Sequence, residues 1–143
     1  MPELIDLAVN IIKKFEGLRL KAYKPIPSDP WTIGYGQTGP TINKNTVWTK
    51  EQAEYFLNLE VNELYRKLRK GLNVNLNYKQ WAAILSLVYN IGINAFAHST
   101  LLKKLNDKDP TASAEFDRWV YGGGAKLNGL VKRRAEERKL FES

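Results

Sequence analysis

The chain has 143 residues, 43% hydrophobic and 26% charged, with no cysteine and one histidine, His98. That is one domain, long enough to bury a core without disulfides or metal. The composition excludes disulfide frameworks, zinc ribbons, iron–sulfur sites, thiol nucleophiles and multi-histidine metal centres, so neither a metal nor a cofactor is expected. Lys and Arg number 22 against 15 Asp and Glu, a formal charge of +7, which favours a polyanionic partner: nucleic acid, an anionic membrane or an acidic wall polymer.

In chain order, Leu4, Leu7, Ala8, Ile11, Ile12 and Phe15 recur at three- and four-residue steps, which predicts an amphipathic helix over 3–16 stopped by Gly17. Residues 18–48 carry Pro25, Pro27, Pro30 and Pro40, with Gly34, Gly36 and Gly39, between short β-type runs such as Leu20–Tyr23 and Trp31–Tyr35. That texture predicts a small antiparallel hairpin region. From Thr49 the pattern is helical. Thr49 with Gln52 forms a capping box for a helix ending at Gly71, and Asn77 with Gln80 forms another. The segment after Asn77 is apolar almost all round, so it is expected at the centre of the core. Ser99 is placed to cap Thr100–Asn106. Asp109 and Pro110 read as the N-cap and first residue of a helix over Thr111–Tyr121, and a last basic helix follows Gly122–Gly124 at about 129–141.

The expected fold class is α+β: a first helix (1–17), a small antiparallel β-subdomain (18–48) and a helical subdomain (49–143), in a single domain. A cleft between sheet and helices is the default ligand site. No apolar run approaches the roughly 18–20 residues of a membrane span. The segment MPELIDLAVNIIKKFEG, with acids early and lysines late, reverses the order of a secretory signal. The expectation is therefore a chain made in the cytoplasm with no stable membrane anchor.

Glu16 is the most informative residue. It ends the first helix just before Gly17, where the helix dipole disfavours its charged form, as a general acid requires. On position alone, the plainer reading is a surface glutamate at a helix end or a partner for Arg19. A glycosidase needs a second carboxylate to activate water or attack. Asp29, in Pro27-Ser28-Asp29-Pro30, is the only acid between Glu16 and the glycine-rich turn, and its plain role is turn chemistry. Thr32 has a hydroxyl able to hold a water near either acid, or serves simply as a β-branched strand residue.

Two blocks, Glu16-Gly17-Leu18-Arg19-Leu20-Lys21-Ala22-Tyr23 and Trp31-Thr32-Ile33-Gly34-Tyr35-Gly36-Gln37-Thr38-Gly39, resemble the active-site signature of phage lysozymes, the endolysins of glycoside hydrolase family 24. Thr49–Leu57, Leu87–Gly92 with Ser99–Asn106, and Phe116–Tyr121 with Gly129–Glu136 are similar to that family's later blocks, in order. The resemblance implies a lysozyme-like fold and cleavage of the β-1,4 bond between N-acetylmuramic acid and N-acetylglucosamine in bacterial peptidoglycan. It also implies a monomer that accumulates in the host cytoplasm and reaches the wall by holin-type release, with Glu16 as general acid and Thr32 at the family's threonine.

The chain departs from the family at two points. Pro25 stands nine residues after Glu16, where the family carries an aspartate, and Thr32 comes one residue late. Asp29 is the expected replacement. Gln37 stands where the family usually has histidine, a mainly structural partner, so stability and pH response should change more than chemistry. The resemblance further implies Tyr35, Gly36, Asn90, Arg118 and Trp119 as substrate-binding residues, and Arg133 or Arg134 as the partner of Glu16. The alternatives are a lytic transglycosylase-like activity using Glu16 alone and a catalytically altered wall-binding or membrane-active relative. Nucleic acid is not expected as a partner, because the basic residues form no recognised motif.

Overall fold

The computed structural model, which describes residues 2–143, is organised around the helix α3 (Tyr78–Ile91), in which every residue from Trp81 to Val88 is buried. Two helices pack against it: the amphipathic α1 (Pro2–Glu16), through Leu4, Ile5, Ala8, Val9 and Ile12, and α6 (Asn128–Glu142), at the other end of the chain, which buries the charged Arg133, Arg134 and Glu137. Leu85 and Leu87 of α3 are fully buried, and truncating either to alanine would cost about 2–5 kcal/mol.

Gly17 takes φ +71, a left-handed conformation open to glycine, and turns the chain out of α1 into β1 (Arg19–Tyr23). This strand pairs antiparallel with β2 (Thr32–Gly34), Arg19 opposite Gly34 and Tyr23 opposite Thr32, with an irregularity between the two pairs. Single bridges join Lys21 to Val47 and Ile33 to Gln37. The long helix α2 (Lys50–Arg69) runs from this β-region and contacts α1, β2 and α3. Both predicted capping boxes are formed: the Thr49 hydroxyl accepts from Gln52 N, and the Asn77 side chain accepts from Gln80 N. Two short helices follow α3, α4 (Ile93–Ala97) and α5 (Thr100–Asn106), the latter capped by Ser99.

The expected α-helix over Thr111–Tyr121 is not what forms. Asp109 does accept from the Thr111 N–H and hydroxyl, but the turns continue as a 3-10 helix over Ala112–Arg118. With three residues per turn, Ala112, Glu115 and Arg118 fall in line. That places Ala112 and Glu115 in the interior, with Glu115 ion-paired to Lys104 (2.9 Å) and Arg118 (2.7 Å). The aromatic and β-branched run after it then extends. Tyr121–Gly122 (β3) pairs with Ala125–Lys126 (β4) around Gly123 and Gly124, at φ +57 and +82. Two consecutive positive φ values make this a two-residue hairpin turn of the primed kind.

Candidate active site

Glu16 sits where α1, the turn after β2, and α6 converge. Arg133 of α6 donates from Nη1 to Glu16 Oε2 at 2.7 Å; the guanidinium side chain is 3% exposed and the carboxylate 20%. Arg133, and not Arg134, is therefore the partner of Glu16. Its remaining donors are occupied: Nη2 donates to the Ser86 carbonyl at 3.0 Å, and Nε to Glu137 Oε2 at 3.2 Å. Glu137 also accepts from the Ser86 hydroxyl at 2.5 Å. Arg134 stands 3.1 Å from Glu137 through its Nε, an ion-pair contact without hydrogen-bond alignment, and donates from Nη2 to Asn90 Oδ1 at 2.6 Å.

The result is a relay from Asn90 at the end of α3, through Arg134, Glu137 and Arg133, to Glu16. Two guanidiniums face two carboxylates, which is how buried charge is tolerated. Desolvation nonetheless dominates at the centre. Burial raises the Glu137 carboxyl above its usual range, against the opposing pull of Arg134, Ser86 and Arg133. Burial also brings the Arg134 guanidinium down to about 10.

On the β side, Gly36 has φ +83, and a Cβ built there would stand 2.9 Å from Glu16 Oε1. Glycine is thus required both for the turn and for the approach of the acid. Tyr35 is 3% exposed, so it presents its carbonyl to the site, and Tyr89 of α3 donates to that oxygen at 2.6 Å. This bond ties α3 to the turn after β2. Burial, followed by the nearby Glu60 and Glu16 carboxylates, raises the Tyr89 phenol and keeps it a donor.

Of the sequence-predicted residues, Glu16, Tyr35, Gly36, Asn90 and Arg133 are thus brought into one connected region. Thr32 is buried and its hydroxyl donates to the Pro30 carbonyl at 3.0 Å. Asp29 is half-buried at the end of a turn closed by its own N–H to the Ile26 carbonyl at 3.0 Å. Arg118 is exposed and engaged with Glu115, and Trp119 packs against the core. Asn90 remains exposed at the end of α3, its side-chain oxygen held by Arg134.

Two site residues escape sequence reasoning. Glu137 is one helical turn beyond Arg133, and only its neutralising role marks it. Glu60 lies on α2, near Glu16 and Tyr89; burial raises its carboxyl, the neighbouring Gln37 side chain lowers it and Glu16 raises it further. The Gln37 substitution was the available signal, since a polar side chain 5% exposed needs a partner. Among the described residues, no three His, Asp or Glu side chains gather as a metal ion would need.

A family model described as phage lysozyme matches residues 13–137. The endolysin of Acyrthosiphon pisum secondary endosymbiont phage 1 is 49% identical over 138 residues, covering 93% of this chain and 93% of the relative. The endolysin of Bacillus phage PZA is 42% identical over 143 residues; the match covers 99% of this chain but only 55% of that longer protein. Among solved structures, the muramidase domain of SpmX from Asticaccaulis excentricus superposes with a TM-score of 0.86 at 33% identity, covering 95% of each chain. The endolysin from Escherichia coli O157:H7 phage FAHEc1 superposes at 0.80 with 31% identity, covering 94% of this chain and 90% of the other.

Proposed function

Because the chain belongs to the phage lysozyme family, we propose that it is an endolysin that hydrolyses the β-1,4 bond between N-acetylmuramic acid and N-acetylglucosamine in bacterial peptidoglycan. The observation that carries the reading is the bracing of Glu16. A partly exposed carboxyl, 20% accessible, is fixed by an arginine that is itself held by Ser86 and Glu137. Such a group has one orientation to offer a substrate, and positioning of this kind is a large part of catalysis.

In the reaction, the Glu16 carboxyl gives its proton to the glycosidic oxygen as the bond from that oxygen to the sugar's anomeric carbon breaks. Positive charge develops on the ring, and a water takes the anomeric carbon. Asp29 is assigned the second carboxylate, stabilising that charge or activating the water, and Thr32 helps to position the water. Tyr35 and Gly36 form the sheet-side wall, Asn90 the helix-side wall, and Arg118 and Trp119 contact more distant parts of the glycan. The enzyme acts as a monomer, accumulating in the host cytoplasm and released to the wall through a holin-type pore. No described helix is long and apolar enough to cross a membrane.

The test is digestion of purified peptidoglycan, with mass analysis of the fragments. Wild type should release reducing ends at N-acetylmuramic acid, and Glu16→Gln should lose about 10²–10⁴-fold in rate while remaining folded. Asp29→Asn should fall comparably. An active Asp29→Asn with an anhydro-muramic product would replace the hydrolytic route with a transglycosylase-like one, and a wild type that releases no sugar ends would overturn the enzyme reading.

A further inference from the structure

The C-terminal end of α2 and the short helices α4 and α5 enclose an apolar slot of about 180 Å³, whose lining includes none of the residues gathered around Glu16. Leu68 and Phe96 are buried and form its floor, while Gly71, Ile93 and Ala97 stand exposed at its mouth. Lys67 is the one charged residue in the lining, and no carboxylate is part of it. Among the described residues Lys67 forms no ion pair, because the acid one turn back, Glu63, is taken by Arg66 through Nε and Nη2 at 3.1 and 2.5 Å. Lys70 ends the same helix and Lys103 adjoins Leu102 of the wall, so the mouth is cationic. The last carbonyls of α2 do not offset this. Those of Lys67 and Leu68 accept from the Lys70 and Gly71 N–H groups at 3.3 and 3.1 Å.

We propose that this slot binds a free, single-chain anionic amphiphile of the linear fatty carboxylate class, with the alkyl chain inside and the carboxylate on Lys67. An apolar cavity of this size stays free of water and accepts an apolar guest. At about 30 Å³ per methylene, close to the share of one water, it holds roughly six. A sugar or a peptide does not fit this lining. Apart from Lys67 it offers no polar side chain, so their hydroxyls and amides would lose water without gaining partners. The sign of the head group follows from the rim. The acids nearest Lys67, Glu60 and Glu63, line the neighbouring cavity and not the slot, which leaves the slot side of the ammonium to an added anion. A bilayer surface is a poorer occupant. Of the large apolar side chains exposed among the described residues, only Ile93, at 39%, belongs to the slot, and docking on a membrane needs a contiguous apolar face.

Local bonds hold the walls in place. The Ser99 hydroxyl donates to the Phe96 carbonyl at 2.6 Å and accepts from Leu102 N at 3.0 Å, so one side chain ties the end of α4 to the start of α5. At the other wall, Gly71 leaves the opening: a Cβ there would meet nothing nearer than the Leu68 carbonyl oxygen at 3.9 Å. The slot is therefore pre-formed, which spares a ligand the cost of ordering it.

The test titrates acetate, butanoate, hexanoate, octanoate and decanoate into the full chain by calorimetry, with methyl NMR of Ile93 and Leu102 reporting where they bind. Affinity should rise about fourfold per added methylene as far as octanoate, which has filled the slot, and level off at decanoate. Octanol and octylamine should bind at least about tenfold more weakly than octanoate, since the first lacks the charge and the second meets a like one. Gly71→Leu puts a side chain into the slot at a position without a positive φ, and should weaken octanoate about tenfold or more. Ala97→Leu repeats the block from the other wall, Lys67→Met should bring octanoate down to the affinity of octanol, and Lys79→Met controls for loss of a remote lysine. Thermal unfolding confirms that the variants fold. Affinity that does not depend on chain length, or filled variants that bind octanoate as wild type does, would refute the slot. Equal binding of octanol and octanoate would refute the anionic head, and binding to phosphatidylglycerol vesicles without binding to free carboxylates would replace the site with a membrane face.

Discussion

Removing Arg134 and Glu137 together, and then each alone, separates what the buried relay does for stability from what it does for Glu16. Two guanidiniums, each at most 3% exposed, face two carboxylates, Glu137 at 0% and Glu16 at 20%. Glu137→Leu alone leaves both guanidiniums to share the one, partly exposed acid. An uncompensated buried charge of that kind costs about 3–5 kcal/mol, or on the order of 10–15 °C in Tm for a chain of this size. Arg134→Met alone leaves Glu137 and Glu16 to share Arg133 and should cost a similar amount. The double variant keeps the balanced Arg133–Glu16 pair and replaces the rest with apolar side chains between α3 and α6. Desolvation already works against the removed pair, lowering Arg134 to about 10 and raising Glu137. The double variant should therefore lie within about 1 kcal/mol of wild type, a coupling of at least about 5 kcal/mol relative to the summed singles. Urea unfolding of the four proteins at neutral pH measures this, with m-values checked for constancy. Peptidoglycan digestion by the double variant should still slow, because Arg133 loses the carboxylate that orients its Nε at 3.2 Å. Additive singles, or a double variant with the wild-type rate, would refute the account of the relay as a brace that stabilises geometry at the expense of solvation.

Gly36→Ala places a side chain at φ +83 with its Cβ 2.9 Å from Glu16 Oε1, and should reduce kcat sharply while lowering stability by about 1–3 kcal/mol; steady-state digestion and thermal unfolding read the two effects. Tyr89→Phe removes the 2.6 Å bond to the Tyr35 carbonyl and should cost about 1–2 kcal/mol, measured by urea unfolding. Glu60 has a folded-state carboxyl raised above 4.5, so its contribution favours the folded state at acid pH and is lost as pH rises through the raised value. Glu60→Gln should match wild type in Tm at pH near 4 and exceed it at neutral pH, and a difference that shrinks with rising pH would contradict that sign.

Much of the fold is legible in local pattern. The periodic apolar face of α1, the stop at Gly17, both capping boxes and the uniformly apolar α3 are each decided by residues within a few positions of one another. The 3-10 segment and the β3–β4 hairpin were not legible in the same way. Asp109 and Pro110 open a helix of any kind equally well, and what selects three residues per turn is the burial of Ala112 and Glu115 against partners from α5 and the core. The Gly122–Gly124 run marked a break without indicating that Gly123 and Gly124 would form a hairpin turn. At the site, position alone left Glu16 open between a general acid and a plain helix-end glutamate, and the resemblance of the blocks around it to the phage lysozyme signature singled it out. Glu60 and Glu137 could not be found, since on their own helices they are ordinary polar positions.

Composition, charge and hydrophobic period by themselves were enough for an α+β fold class, for the placement of its principal helices and for the exclusion of thiol chemistry. Folding was needed to decide which charges meet. Arg133 reaches Glu16 across 117 residues of chain, Tyr89 reaches Tyr35 across 54, and Glu137 reaches Ser86 across 51. Turns and caps are short-range and are fixed by the backbone preferences of a few neighbouring residues. The partner of a buried charge depends on which helix faces pack together, and packing is settled by the core as a whole.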